Sequence, residues 1–133
     1  MKKILSTIPL LLLVLITYSQ NKSIPNPASL YVKFLGFKSE FRTDNQGNQK
    51  KVCIFPDGTE CDEWTFFRGI CGQEFSYCAR KGCLTETETN ATSQYTVCVC
   101  SDSLGNKVRI PLNDFMNQHG DSLFKEPKID RRR

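Results

Sequence analysis

Histidine is nearly absent from this sequence, and the cysteine spacings typical of zinc sites are missing. His119 is the single histidine among 133 residues, and none of the seven cysteines forms a Cys-x-x-Cys pair. Structural zinc sites draw their ligands from such pairs and from histidines. The sequence therefore predicts neither a metal site nor a cofactor.

Residue patterns typical of enzymes are missing as well. His119 has no cysteine or serine at a spacing that suggests a nucleophile and its base. The chain is also short for an enclosed catalytic cleft. We therefore expect no catalytic residues, and a small hydrolase that uses Asp57 with Glu63 is the enzymatic alternative.

Long apolar runs occur only at the start of the chain. Lys2 and Lys3 precede an apolar stretch at residues 8–16, and Ser19 supplies a small residue after it. This stretch is well short of the ~20 apolar residues that a membrane-spanning helix needs. Residues 1–19 therefore read as a secretory signal peptide, and we expect a secreted protein without stable membrane insertion.

Positive charge is scarce in the body of the chain. The formal net charge is +4 at pH 7, of which Lys2 and Lys3 supply two charges. Segment 125–133 carries five basic and two acidic residues and supplies three more, which leaves the rest of the chain near −1. We therefore expect no nucleic-acid partner, and we expect residues 123–133 to form a basic, disordered tail.

Cysteine, by contrast, is abundant. Seven cysteines in a secreted chain of this size indicate disulfide bonds. A domain this small buries a limited apolar surface, and each bond adds roughly 2–4 kcal/mol by restricting the unfolded chain. Disulfides are therefore expected to supply much of the stability.

Cap and turn signals divide the mature chain into short elements. Asn26 and Pro27 begin a helix that Gly36 ends. In the first half, strands are predicted at residues 37–43 and 50–55 and a short helix at 63–68. In the second half, the predicted elements are a helix at 75–81, strands at 83–89, 95–100 and 107–110, and a helix at 112–119.

The two halves carry matching residues in the same order. Tyr31 matches Tyr77, and Gly36 matches Gly82. Further along, Val52-Cys53 matches Val97-Cys98, and Asp62-Glu63-Trp64 matches Asn113-Asp114-Phe115. Repetition at this period indicates a repeated unit. We predict an α+β fold: a small disulfide-stabilised domain built from two tandem helix–β-hairpin–helix repeats, at residues 26–72 and 73–122, after a polar lead-in at 20–25.

The repeat also predicts how the first pair of cysteines is joined. Cys53 and Cys98 occupy equivalent positions, whereas Cys78 stands where the first half has Val32. A bond between the two positions can therefore exist only in the second half, as Cys78–Cys98. Cys53 is left free and is expected to be buried in a monomer, with a disulfide-linked dimer through Cys53 as the alternative.

Two further bonds are predicted by the same comparison. Cys83 and Cys100 stand where the first half has Phe37 and Phe55. Both positions differ together between the halves, as two touching positions would. This pattern predicts the bond Cys83–Cys100, and the remaining pair, Cys61–Cys71, brackets the short helix that contains the single tryptophan.

The first half carries a series of spaced motifs. They are Asn26-Pro27-Ala28-Ser29, Tyr31, Val52-Cys53-Ile54-Phe55-Pro56-Asp57-Gly58, Cys61-Asp62-Glu63-Trp64, Phe67-Arg68-Gly69 and Cys71. Together they resemble a small secreted family of unknown function, domain of unknown function 333, to which the name haemolysin is attached. The resemblance covers residues 26–82 and implies an exported domain with internal disulfides and no accepted enzymatic residues. Family members usually have Cys where this chain has Val32 and Gly where it has Phe37.

One helix face combines aromatic and basic residues. Trp64 and Arg68 are four residues apart, so the guanidinium can stack on the indole. The three aromatic residues within 64–67 cannot all face inward on a short helix, and an exposed aromatic beside arginine is typical of a binding hot spot. The alternative is a core anchor between the repeats. The candidate binding residues are Asp62, Glu63, Trp64, Phe67 and Arg68.

Acidic residues cluster around the turn that contains Gly58. Asp57, Glu60, Asp62 and Glu63 could offer oxygen ligands to Ca²⁺. The spacing of an EF-hand is absent, however, and acidic residues are also favoured at the start of a helix. Turn and cap chemistry is therefore the expected role of this cluster.

The sequence favours a binding protein over other classes. We expect a secreted, non-catalytic, disulfide-rich module that acts on an extracellular protein or surface, an inhibitor included. The family name suggests membrane activity as an alternative, although no mature segment forms a long amphipathic helix. Asn21-Lys22-Ser23 and Asn90-Ala91-Thr92 are N-glycosylation sequons, which matter only in a eukaryotic source.

Overall fold

The computed structural model describes residues 24–124. The signal peptide predicted at residues 1–19, the sequon at Asn21 and the segment 125–133 lie outside that part of the chain. None of the helices within residues 24–124 has the length and apolar character needed to cross a bilayer.

Each half of the described chain runs helix, three strands, helix. The first half contains α1 (Pro27–Phe34), β1 (Lys38–Thr43), β2 (Gln49–Ile54), β3 (Glu60–Asp62) and α2 (Glu63–Phe67). The second half contains α3 (Tyr77–Arg80), β4 (Leu84–Thr89), β5 (Gln94–Ser101), β6 (Lys107–Pro111) and α4 (Leu112–Gln118). A 3₁₀ turn, Gln73–Phe75, connects the two halves.

The strands form two small antiparallel sheets, which confirms the α+β class. The first sheet has the order β1-β2-β3, and the second has the order β4-β5-β6. The second half contains the three strands that the sequence predicts, whereas the first half has a third strand, β3, beyond the predicted hairpin. Strand β3 was missed because it is only three residues long, and pairing with β2 places Cys61 opposite Cys53.

Polar side chains begin three of the helices. The Asn26 side chain accepts a hydrogen bond from the Ala28 N–H at 3.0 Å, and the Asp62 side chain accepts one from the Trp64 N–H at 3.0 Å. Ser76 is extended and accepts from the Ala79 N–H at 3.1 Å. Such caps satisfy N–H groups that have no partner within the helix. The cap at Ser76 divides the helix predicted at 75–81 into a 3₁₀ turn and α3.

Two buried tyrosines connect the halves. The Tyr31 hydroxyl accepts a hydrogen bond from the Tyr77 N–H at 2.9 Å, and the Tyr77 hydroxyl donates to Asp121 Oδ2 at 2.7 Å. The Tyr31 ring centroid lies 5.2 Å from that of Phe66 in α2, and the Tyr77 ring lies 5.9 Å from Phe115 in α4. Burial raises the pKa of Tyr31 to about 12. Both helix pairs thus contribute to one apolar core.

The carboxyl end of α2 docks on the second sheet. Thr96 Oγ1 donates to the Phe67 carbonyl oxygen at 2.7 Å, and Thr87 Oγ1 donates to the Arg68 carbonyl oxygen at 2.7 Å. Gly69 follows with φ +78°, and a Cβ there would lie 2.9 Å from Thr96 Oγ1. Only glycine combines this left-handed conformation with so close an approach.

The strand register gives a different correspondence between the halves from the sequence comparison. Val52 pairs with Asp62, whereas Val97 pairs with Pro111, so the second hairpin is four residues longer. By register, Asp62 therefore corresponds to Pro111 and not to Asn113. The sequence comparison aligned the glycines that follow the two helices, Gly69 and Gly120. Because α4 has seven residues and α2 has five, that alignment is displaced by two residues at the start of the helices.

Replacement of Gly69 by alanine should destabilise the junction between α2 and the second sheet. Gly105→Ala is the matched control, because Gly105 also has a positive φ, +81°, but nothing lies within 4 Å of an added Cβ. We expect Gly105→Ala to lower the free energy of unfolding by about 1–2 kcal/mol through backbone strain. Gly69→Ala should lose a further ~1–3 kcal/mol through overpacking. Urea denaturation measures both, and equal losses would contradict the docking role of Gly69.

Candidate functional site

Three disulfides hold the walls of the site, and they join the same pairs that the sequence comparison predicts. Their Cα–Cα distances are 6.3 Å for Cys61–Cys71, 5.2 Å for Cys78–Cys98 and 4.6 Å for Cys83–Cys100. The first bond brackets α2, and the other two join α3 and the start of β4 to β5. Helix α2 and strand β5, which border the candidate site, are therefore each cross-linked within their own half of the chain.

Apolar contacts occupy the corresponding positions of the first half. Phe37 and Phe55 stand where the second half has Cys83–Cys100, and their rings pack edge to face with centroids 5.3 Å apart. Val32 and Cys53 stand where the second half has Cys78–Cys98, and both are completely buried. Positions that the sequence comparison aligns are thus joined by apolar packing in the first half and by disulfides in the second.

Cys53 carries the single free thiol among residues 24–124, and the fold encloses it. It is 0% exposed and lies in the core, opposite Cys61 in the register of β2 and β3. Burial raises the pKa of Cys53 to about 12. A disulfide to a second chain through Cys53 would require the first sheet to open.

Glu63 is buried, with 1% of its surface exposed, and its carboxylate has several partners. It accepts a hydrogen bond from Ser29 Oγ at 2.5 Å and another from Ser39 Oγ. Lys51 Nζ lies 3.9 Å from Glu63 Oε1. These residues belong to α1, β1, β2 and α2, so Glu63 joins four elements of the first half. It therefore has a structural position within the first half.

The other acidic residues of the predicted cluster are also engaged locally. Asp57 Oδ1 accepts from the Thr59 hydroxyl at 2.6 Å, and hydrogen bonds from Thr59 lower the pKa of Asp57. Arg42 binds Glu60, and this hydrogen bond lowers the pKa of Glu60. Asp62 caps α2. Across residues 24–124, no group of three or more His, Cys, Asp or Glu side chains could hold a metal ion.

Trp64 and Arg68 form a stacked pair on the surface. Trp64 is 39% exposed, and the Arg68 guanidinium carbon lies 5.3 Å from the centroid of its ring. This stacking is the arrangement that their spacing suggests. Phe67 is half-buried, with its ring 6.1 Å from Trp64 and 5.5 Å from Tyr31. Phe67 therefore links the exposed pair to the core.

A cavity of about 250 Å³ opens beside this pair. One wall comes from Phe67 and Arg68, and the other comes from residues 94–96 of β5 and 111–113 at the junction of β6 and α4. We call it the α2–α4 cavity. The sequence analysis identified the first wall and missed the second. No local motif marks residues 94–96 or 111–113, because their place beside Arg68 depends on how the halves pack.

The candidate binding residues therefore divide into two groups. Trp64, Phe67 and Arg68 lie together at the mouth of the α2–α4 cavity or beside it. Asp62 caps α2, Glu63 is buried against Ser29 and Ser39, and neither residue lines the α2–α4 cavity. The cap at Asp62 fixes the start of α2 and thereby positions Trp64, Phe67 and Arg68.

Two other residues singled out in the sequence lie away from the cavity. His119 ends α4, and its Nδ1 lies 2.8 Å from the Phe115 carbonyl oxygen. Asn90 lies in the exposed β4–β5 loop, where its Oδ1 accepts from the Ser93 N–H at 2.8 Å. His119 thus completes a helix end, and Asn90 closes a loop.

Comparison with known proteins finds a similarity between the first half and a family of unknown function. Residues 23–70 match the family model of a domain of unknown function, DUF333. An uncharacterized protein of Archaeoglobus fulgidus is 30% identical over 81 residues, which are 60% of this chain and 38% of that protein. The chain thus spans about two fifths of this relative's length. No solved structure gives a significant match.

The matched segment covers one wall of the cavity only. Phe67 and Arg68 fall within residues 23–70, whereas residues 94–96 and 111–113 lie beyond them. The match and the three disulfides agree with a disulfide-rich module of unspecified role.

Replacement of Glu63 by glutamine should destabilise the first half. The amide keeps the shape of the side chain but removes the charge, and its NH₂ group is a donor, so only one of the Ser29 and Ser39 hydroxyls keeps an acceptor oxygen at its present position. We expect a loss of about 1.5–3 kcal/mol in the free energy of unfolding, as for hydrogen bonds to charged groups. The control is Glu60→Gln, an exposed carboxylate paired with Arg42, which should lose much less because solvent screens that pair. Equal thermal stability of Glu63→Gln and wild type would refute the role of Glu63.

The Cys53 thiol should be unreactive in the folded protein. A pKa of about 12 leaves about a thousandfold less thiolate near neutral pH than an ordinary cysteine has. Ellman's reagent should therefore detect almost no thiol in the native state and one thiol per chain in guanidinium chloride. Non-reducing electrophoresis should show a monomer. Rapid native labelling or a reducible dimer would show that Cys53 is accessible.

Proposed function

We propose that this protein is a secreted, non-catalytic module that binds an extracellular protein or surface through the Trp64–Arg68 surface, consisting of Trp64, Phe67 and Arg68. The observation that carries the proposal is the stacked Trp64–Arg68 pair, with Trp64 exposed, at the edge of the α2–α4 cavity. Tryptophan and arginine are the residues most enriched in binding hot spots. A cavity beside such a pair can accept a side chain of the partner.

The surface is held in place before any partner arrives. The Cys61–Cys71 bond brackets α2, and the hydroxyls of Thr87 and Thr96 hold the last carbonyl groups of that helix. A preorganised surface loses little conformational freedom on binding, and more of the contact energy contributes to affinity. This rigidity supports a binding role for residues 64–68.

Secretion is part of the same proposal. The basic and apolar pattern of residues 1–19 is that of a signal peptide, and three disulfides are typical of an oxidising compartment. N-terminal sequencing of the exported protein should find a chain that begins near Gln20 or Asn21.

We also infer that the two halves arose by doubling of one helix–three-strand–helix unit. The same element order and the same sheet order in both halves support this origin. The replacement of the Cys83–Cys100 contact by Phe37 and Phe55 is what divergence of one pair of touching positions would produce.

The Trp64→Ala variant should lose the partner. Wild type and variant, each immobilised, would be exposed to the medium in which the source cells grow, and the retained proteins would be compared by mass spectrometry. Phe41→Ala is the matched control, because Phe41 is an exposed aromatic, 65% accessible, on β1. We expect a protein that wild type and Phe41→Ala retain and that Trp64→Ala does not. Equal recovery by all three would refute the proposed surface.

A further inference from the structure

The α2–α4 cavity shows which class of partner segment the proposed surface would recognise. We propose that the cavity receives one apolar side chain of an extracellular peptide or protein, and that Arg68 pairs with a carboxylate next to that side chain in the partner. This inference rests on the proposed function and specifies its ligand. The occupant is therefore an acidic segment with an apolar anchor.

The size and walls of the cavity favour a single side chain. Its volume of about 250 Å³ is below the roughly 300–1,000 Å³ of clefts that enclose a drug-sized ligand. Phe67, Pro111 and Leu112 supply apolar surface to the walls. Burial of a leucine or phenylalanine side chain against such walls is favourable. A partner that inserts one such residue would fill the cavity and keep its backbone outside.

Arg68 differs from the other arginines of residues 24–124. Arg42 forms ion pairs with Glu40 and Glu60, and Arg109 forms ion pairs with Glu86 and Glu88. Arg80 donates to the Leu35 carbonyl oxygen at 2.6 Å. Arg68 stacks on Trp64, as Arg80 stacks on Phe37, but among residues 24–124 the Arg68 guanidinium has neither a carboxylate within salt-bridge distance nor a hydrogen-bond acceptor.

The stacking leaves the donors of Arg68 available in a fixed orientation. A guanidinium has five N–H donors in one plane and binds a carboxylate through two of them. Because Trp64 already restricts the side chain, little further freedom is lost when a carboxylate binds. An arginine fixed without an acidic partner is therefore complementary to an acidic ligand.

The other described residues at the rim of the cavity do not neutralise the charge of Arg68. Glu88 is the carboxylate bonded to the lining residue Tyr95, and Arg109 already pairs with it. Gln94 and Asn113 line the cavity with neutral amides, and neither side chain takes part in a hydrogen bond within residues 24–124. These amides can bond to the backbone of a peptide whose side chain enters the cavity.

The test uses three synthetic peptides: acetyl-Gly-Leu-Asp-Gly-amide and its Asn and Lys analogues at the Asp position. Each is titrated into ¹⁵N-labelled protein, and backbone amide shifts are followed by NMR. We expect the Asp peptide to shift the signals of Thr96, Leu112 and Asn113 and to bind about fivefold to tenfold more tightly than the Asn peptide. The Lys peptide should bind most weakly.

Two variants separate the charge from the cavity. Arg68→Gln should remove the preference for Asp over Asn while the same signals still shift, because the apolar walls remain. Arg42→Gln, which removes an arginine that already has its own carboxylates, should keep the full preference. Asn113→Asp should weaken the Asp peptide, because a carboxylate at the rim would pair with Arg68.

The results distinguish the ligand class from the surface itself. Equal binding of the Asp and Lys peptides, or shifts confined to other residues, would overturn the proposed ligand. If Trp64→Ala still loses the natural partner, the binding surface stands and only the ligand class is wrong. If Trp64→Ala retains that partner and the peptides do not discriminate, both proposals fail.

Discussion

The docking of α2 on the second sheet is the contact on which the rest of the structure depends. Two threonine hydroxyls satisfy the carbonyl groups of Phe67 and Arg68, and Gly69 allows the backbone to come this close. The last carbonyl groups of a helix have no partner within the helix, and here the other half of the chain supplies the hydrogen-bond donors. The same contact brings Arg68 beside residues 94–96. The contact that forms this cavity is therefore also one of the contacts that join the halves, together with the Tyr31–Tyr77 hydrogen bond.

Different interactions stabilise the two halves, although their element order is the same. The second half has two disulfides within it, whereas the first half has aromatic packing around Phe55 and a buried carboxylate at Glu63. Glu63 is tolerated in the interior because two hydroxyls and the Lys51 ammonium surround it. The first half thus combines one disulfide, Cys61–Cys71, with aromatic packing, whereas the second half has two disulfides.

Local signals in the sequence predicted much of this fold, and packing decided the rest. Caps at Asn26 and Asp62 and the cysteine pattern were readable because each depends on near neighbours or on comparison between the halves. Strand β3 was not readable, because three residues carry no periodicity and pairing with β2 alone defines them. Trp64 and Arg68 were identified by their spacing. Burial of Glu63 could not be foreseen, because its partners lie on three other elements.

The free thiol of Cys53 lies next to a cysteine that is already bonded to another partner. Seven thiols allow about sevenfold more three-bond patterns than six, since any one of them can be left out. Cys53 stands opposite Cys61 on paired strands, which makes it the most immediate competitor for that sulfur. A bond between Cys53 and Cys61 would leave Cys71 without a partner and α2 without the disulfide that brackets it. Correct oxidation of the first half therefore depends on discrimination between two neighbouring sulfurs of the same sheet.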